Sequence, residues 1–207
     1  MASLAAMMRK RGPSEDDRRR ALWDYYQNSR AVERIGQFAK LYRTFGRLDL
    51  HKHSFVVPLG SHYTYASTWG ASRNWHGARI HEGTDIFGSY GIPVRSACYG
   101  IIEMKGWNLY GGWRIGIRDL NNVYYYYAHL SGYSKNLRVG DAVTPGQTLG
   151  WMGSSGYGRP GTSGKFPPHL HFGMYRDSGL SDWSFDPYPH LRKWEREERQ
   201  QRRTKDS

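Results

Sequence analysis

Between residues 14 and 45, apolar side chains recur at Leu22, Tyr25, Tyr26, Ile35, Phe38, Leu41, Tyr42 and Phe45. That spacing is close to the 3.6-residue period of a helix with one apolar face. Pro13-Ser14 reads as its entry, Ser14 with Asp17 as a capping box, and Gly46 as its stop. The stripe predicts a packing or partner helix. After Phe55 the texture changes. Short runs rich in β-branched and aromatic residues, at 92–99, 100–104, 113–117 and 123–127, alternate with Gly, Pro and Asn turns. Runs of this length and spacing predict an antiparallel sheet or sandwich. Asn121-Asn122, between two of them, predicts a tight hairpin turn. From about residue 190 the chain is highly charged and reads as a helix or a frayed tail. The fold class is therefore mainly β (α+β): an antiparallel core at 51–190, a helical extension at 1–50 and a charged segment at 191–207.

Composition narrows the function classes. The chain has 207 residues, enough to bury a core without disulfide staples, and its single cysteine, Cys98, excludes a disulfide framework or a Cys-rich zinc finger. In an apolar run, Cys98 reads as a small buried hydrophobe. The 16 Tyr and 8 Trp argue against wholesale disorder, and 25 Gly argue against a purely helical fold. No apolar run approaches the roughly 20 residues that span a bilayer. The opening segment 1–8 is apolar, but basic residues follow it rather than precede it, which is the wrong polarity for a secretory signal. The net charge of +12 is spread over both ends and the centre, so it predicts dwelling near polyanions in general and marks no single patch.

The candidate chemistry lies in four histidines of the β-rich region. In His169-Leu-His171, residues i and i+2 of a strand would project both imidazoles to one face, with Leu170 turned into the core. Pro167-Pro168 would rigidify the approach. His51-Lys-His53 has the same spacing and reads as surface, so the pattern alone carries little. His81-Glu-Gly-Thr-Asp85 adds an imidazole and a carboxylate on an extended or looped segment. Two imidazoles and one aspartate with an open fourth position are the donor set of catalytic zinc, and also of an iron(II) facial triad. Glu82 would alternate to the opposite face and reads as structural. His129 would share a strand face with Val123, Tyr125 and Tyr127. Tyr63, Tyr65, Trp69, Trp75 and Trp107 are candidate cleft or core aromatics.

Taken in order, His81-x-x-x-Asp85, Tyr127-Ala-His129-Leu130 and His169-Leu-His171 resemble the lysostaphin-type zinc endopeptidases of peptidoglycan. The resemblance spans about 55–188 and is framed by Gly91-Ile-Pro-Val-Arg-Ser-Ala and by the run 139–150. His81-Glu-Gly-Thr-Asp-Ile-Phe and Trp183-Ser-Phe-Asp-Pro-Tyr-Pro-His-Leu are similar to the branch that includes spore-cortex L-Ala–D-Glu endopeptidases. The resemblance implies that His81, Asp85 and His171 hold one zinc ion. It makes His169 the general base and sets His129 beside it as a second catalytic imidazole. It implies peptidoglycan peptide stems as substrate and an extracytoplasmic location, in the cell wall or spore cortex. Two features depart from the family pattern: the segment 157–168 is longer than its usual short link, and no export signal is visible in this chain.

Three other readings compete. A biotinyl or lipoyl carrier would use the turn at 140–150 and Lys105, but the lysine precedes the turn and all four histidines go unexplained. A non-catalytic peptidoglycan-binding or regulatory module on the same fold would not need all five site residues. Specific nucleic-acid binding lacks any recognisable motif.

Overall fold

The computed structural model describes residues 3–46, 49, 52–74, 78–177 and 182–205. The chain divides into two compact units, Met1–Leu48 and Asp49–Ser207.

Among its described residues the first unit holds three helices, α1 (Leu4–Arg11), α2 (Glu15–Tyr26) and α3 (Ser29–Phe45). The single helix expected over 14–45 is thus two. Gln27 takes a left-handed conformation (φ 49°) and closes α2, and the Asn28 side chain then accepts from Ala31 N to open α3. The Ser14–Asp17 capping box is present, and Glu15, Asp16 and Asp17 place negative charge at the positive end of α2. Ala21, Leu22, Val32 and Leu41 are buried, whereas Tyr25, Tyr26 and Tyr42 of the expected apolar stripe are 44–50% exposed. The apolar opening of the chain is α1, capped by Ser3.

The second unit is built on strands β1 (Tyr63–Tyr65), β2 (Ser72–Arg73), β3 (Arg79–Ile80), β4 (Thr84–Gly88), β5 (Pro93–Arg95), β6 (Gly100–Asn108), β7 (Gly112–Asp119), β8 (Val123–Tyr133), β9 (Ala142–Val143), β10 (Thr148–Met152), β11 (His169–Asp177) and β12 (Asp182–Phe185), closed by helix α4 (Tyr188–Lys205). Among the described residues the main sheet has ten strands and runs β1-β4-β11-β8-β7-β6-β9, with β12 on β11 and β10 joining β8 to β5. Strands β2 and β3 form a separate small ribbon. The β7–β8 hairpin turns as expected: Asn122 takes φ 63°, and the Asp119 carboxylate accepts from the backbone N of Asn121 and Val123, both at 2.8 Å.

One face of the sheet is the core. Ile86, Ile102, Ile115, Ile117, Tyr127, Leu149, Met152, Leu170 and Phe172 are fully buried there. Lys105, the one lysine of the carrier reading, lies within β6 and donates to the Leu137 carbonyl at 2.7 Å.

Helix α4 is part of this core. Leu191 and Trp194 are buried, and the Trp194 ring meets Phe172 at 6.3 Å, Tyr125 at 6.4 Å and His53 in a parallel stack at 4.9 Å. His53 is therefore half-buried, in contrast to the surface position expected for it; His51 lies outside the described residues. The Glu195 carboxylate accepts from the hydroxyls of Tyr63 (2.7 Å) and Tyr65 (2.5 Å), and Glu198 pairs with Arg95 at 3.0 Å. Burial first, and the Glu195 carboxylate second, push the Tyr63 hydroxyl up to about 12, so it stays a donor at any working pH. Truncating the large buried ring is expected to leave a cavity: Trp194→Ala should cost about 3–5 kcal/mol in equilibrium urea unfolding. A loss under about 1 kcal/mol would mean that α4 does not close the core.

Candidate metal centre and cleft

Strand pairing assembles the site. In the antiparallel register of β4 with β11, Asp85 lies directly opposite His171 and Phe87 opposite His169. Directly opposed residues on one face sit within side-chain reach. Alternation along β11 turns His169 and His171 to that face and buries Leu170 in the core, as the sequence predicts. His81 arrives from the ribbon side. Its backbone is pinned by bonds from His81 N to Ala71 O and from Gly70 N to His81 O, both 2.8 Å.

Three atoms form a near-equilateral triangle. His81 Nε2 and His171 Nδ1 each lie 3.0 Å from Asp85 Oδ1 and 2.9 Å from each other. Among the described residues this is the one group able to offer three ligand atoms to an ion. The His81 Nδ1–H donates to the Thr68 carbonyl at 2.8 Å, which leaves a lone pair on Nε2. Even with a proton on His171 Nδ1, that lone pair faces a carboxylate oxygen with nothing between them. A small cation at the centre removes the repulsion. Donors around a tetrahedral ion with bonds of about 2.0–2.2 Å stand roughly 3.3–3.5 Å apart, so the triangle has nearly the size required. Burial works to raise the Asp85 carboxyl, but the close approach of the His171 and His81 ring nitrogens outweighs it and holds the group well below the usual carboxylate range. Burial likewise pushes His171 down. His171 is therefore neutral and Asp85 anionic, the protonation that metal binding needs, and His81 turns its Nε2 lone pair to the same point.

Two supporting residues have no signature in the sequence. Thr68 receives the His81 proton on its carbonyl and accepts from Asp85 N through its hydroxyl at 3.2 Å. Arg73, on β2, donates to Asp85 Oδ2 at 2.7 Å, so only Oδ1 of the carboxylate is left facing the imidazoles. Gly83 is legible only in hindsight: a Cβ there would stand 2.6 Å from Phe172 O and 2.7 Å from His171 Cε1, so the loop can cross the His171 ring only without a side chain.

His129 and His169 stand beside the triangle, their rings 4.7 Å apart. His169 Nε2 is 3.9 Å from Asp85 Oδ1. Each gives its Nδ1–H to a backbone carbonyl, His129 to Ser155 at 2.7 Å and His169 to Pro167 at 2.9 Å, leaving an Nε2 lone pair. Burial pushes both down, and the adjacent imidazoles add to it at His129, whose pKa falls to about 3.

His129 does not share a face with Tyr125 and Tyr127. Those two are buried in the core, while His129 lines the cleft with Tyr124 and Tyr126. The cause is a bulge. The β7–β8 register shifts between Trp113 and Ile115, and His129 adopts φ 62°. β8 changes partner at the same point, pairing with β11 through Ala128 and with β10 from Leu130 onward. An extra residue at such a corner reverses which face a side chain takes. Left-handed backbone on a histidine is strained, and it persists here where His129 N is held to Gly111 O at 2.7 Å.

The site opens into a cleft of about 1070 Å³. The long segment 157–168 contributes its wall: Phe166 packs edge-on to His129 at 4.7 Å and Tyr157 lies at 6.0 Å from the same ring. None of the described aromatics singled out from sequence lines this cleft. Tyr63 and Tyr65 bind α4, Trp69 donates to Ser184 and Trp107 to the Gly158 carbonyl. Trp75 lies outside the described residues. Glu82, expected on the opposite face, is at the cleft rim beside Tyr175. Cys98 is buried, as expected, and burial raises its thiol.

Comparison with known proteins yields a consistent set. The profile described as Peptidase family M23 matches residues 79–185, which include all five site residues. An L-Ala–D-Glu endopeptidase of Bacillus subtilis is 58% identical over 192 residues, covering 93% of this chain and 59% of the relative. The chain thus spans about three-fifths of that relative's length, and 29% of the lysostaphin of Staphylococcus simulans, to which it is 35% identical over 152 residues. Among solved structures, a lytM protein of Ruminococcus gnavus, provisionally named a glycyl-glycine endopeptidase, superposes with a TM-score of 0.64 at 37% identity, covering 89% of this chain and 74% of that one. The catalytic domain of lysostaphin from Staphylococcus simulans gives a TM-score of 0.51 at 35% identity, over 63% of this chain and 92% of that one. The antiparallel, sheet-rich fold expected from the sequence is the fold of these relatives.

The close passage of the 81–83 loop over His171 has a direct consequence. Gly83→Ala should displace the His171 ring, lower the melting temperature and weaken uptake of a divalent ion by about tenfold or more. Wild-type metal affinity in a folded Gly83→Ala protein would contradict the packing described.

Proposed function

Since the chain belongs to peptidase family M23, we propose that it is a zinc-dependent endopeptidase hydrolysing peptide bonds in bacterial peptidoglycan stems. The observation that carries this reading is the triangle of His81, Asp85 and His171 beside two neutral imidazoles in an open cleft. His81 Nε2, Asp85 Oδ1 and His171 Nδ1 would hold one zinc ion. A zinc ion in a three-residue set with an open position supplies an acidified water and a polarised carbonyl.

The chain's own groups do the rest. His169, neutral and fixed by Pro167 with its Nε2 lone pair free, accepts a proton as water attacks the peptide carbonyl. His129 is expected to steady the oxyanion. Its Nδ1–H is committed to Ser155, so its Nε2 accepts in the resting state and can donate only after taking up a proton. We therefore assign it first to orienting the attacking water and second to carrying a proton. The bulge at 128–129 and the wall formed by Tyr157 and Phe166 keep this imidazole in place and partly exclude solvent.

For the bond cleaved, L-Ala–D-Glu is the first assignment, supported by the name of the relative at 58% identity, and a D-amino-acid cross-link or glycine bridge is the second. Such a substrate places the protein outside the cytoplasmic membrane, at the cell wall or spore cortex; no described helix is long and apolar enough to cross a membrane. A non-catalytic module on the same fold is the less economical reading, because all five site residues are present and grouped.

Purified peptidoglycan digested by the zinc-loaded protein should release stem fragments with new D-Glu amino termini, detected by mass analysis, and a chelator should stop the release. Release that is indifferent to chelator, or none at all, would overturn the proposal. Two variants separate the roles. Asp85→Ala should lower zinc affinity by more than about a hundredfold; unchanged metal content would remove it from the ligand set. His169→Ala should lower cleavage by about 10²–10⁴-fold with zinc still bound; loss of zinc in that variant would reassign the residue.

A further inference from the structure

The cleft carries a second recognition feature on its floor. Four cationic side chains line it: Arg73, Arg79, Arg114 and Lys165. Three of them are committed. Arg73 binds Asp85; Arg79 donates to the Tyr157 hydroxyl at 2.9 Å and lies over the Tyr110 ring; and Lys165 donates to the Tyr157 carbonyl at 2.8 Å. The guanidinium of Arg114 makes neither a hydrogen bond nor an ion pair among the described residues, and its Nε is buried without a partner. A buried donor left unmade costs stability, and a guanidinium is the side chain whose forked donors match a carboxylate.

Its position follows from register. In β7, Ile115 and Ile117 are buried in the core, so Arg114 and Gly116 face the cleft. Trp113 pairs with Leu130 and Ile115 with Tyr127, which sets Arg114 opposite the 128–129 bulge, while Ala128 pairs on its other side with His171. Arg114, Ala128 and His171 thus stand in one row across three strands. Two strand spacings make the backbone separation about 10 Å, and Arg114 and the triangle line the same cleft. Gly116 and Gly111 sit beneath the hydroxyls of Tyr124 and Tyr126, where a Cβ would collide, and the rings lie down over the sheet.

We propose that Arg114 is a carboxylate-recognition subsite that selects peptides bearing a free carboxylate on the residue adjoining the cleaved bond. The proposal rests on the endopeptidase reading above and deepens it. In an L-Ala–D-Glu sequence, glutamate has two carboxyl groups, and only one of them continues the chain. The other remains next to the scissile bond as an anion. A glycine bridge offers no such group.

The test compares two synthetic stem peptides on the zinc-loaded 207-residue chain, one with the free glutamyl carboxylate and one with that carboxylate converted to its amide. Wild-type protein should favour the acid on the order of ten- to a hundredfold in kcat/KM. In Arg114→Gln that ratio should collapse toward one, mainly through KM, with zinc content and melting temperature retained. Arg114→Lys, which keeps the charge without the fork, should fall between. An Arg114→Gln protein that still prefers the acid would overturn the subsite. Direct titration of both peptides keeps the two readings apart. If neither peptide is cleaved but the acid binds more tightly than the amide only when Arg114 is present, the subsite stands and the bond assignment falls. If both peptides bind wild-type protein equally, the subsite falls whether or not cleavage occurs. If Arg114→Gln does not fold, the Arg114→Lys ratio decides, and a ratio equal to that of wild type would sink the proposal.

Discussion

The site depends on one register, the antiparallel pairing of β4 with β11 that sets Asp85 against His171. A slip of β4 by a single residue would turn Asp85 into the core and bring Ile86, now fully buried, onto the cleft face, while β8 still holds His171 where it is. The register is therefore held by the hydrophobic effect on one side of the sheet, while the other side carries the polar cluster. Burying Ile86, Leu170 and Phe172 is what keeps two ring nitrogens and a carboxylate oxygen within 3.0 Å of one another. In this sense core packing supplies the energy, and the site is where it is spent.

A common device prepares the imidazoles. His81, His129 and His169 each donate Nδ1–H to a backbone carbonyl, of Thr68, Ser155 and Pro167. Backbone carbonyls cannot donate, so the tautomer is set by the fold and Nε2 is left as a base in all three. Burial then keeps His129, His169 and His171 neutral, against the pull of Asp85. The overall charge of +12 has little part in this; the cleft's cations are mostly consumed by local partners, and Arg114 is the exception.

Much of this was legible in the residues. Alternation in His169-Leu-His171 fixes a shared face, and the strand-rich texture after Phe55 gives the antiparallel fold. What could not be read was geometry that breaks periodicity. His129 looks like a continuation of the Tyr125–Tyr127 face, yet a bulge and a positive φ reverse it, and no residue type at 128–129 announces that. The helix over 14–45 divides because Asn28 caps better than it continues a helix, a local competition that an apolar stripe hides. Thr68 and Arg73 act through a backbone carbonyl and a long reach across strands, which leave no spacing signature. The charged ending conceals Leu191 and Trp194, two core residues among many exposed ones.

The central claim is that two imidazoles and one carboxylate oxygen share a single ion. The direct measurement is anomalous diffraction at the zinc edge from crystals of the zinc-loaded chain. The account predicts one peak, about 2.0–2.2 Å from His81 Nε2, Asp85 Oδ1 and His171 Nδ1 alike. A peak bound elsewhere, or an ordered cluster of these side chains that excludes zinc at saturating concentration, would contradict it.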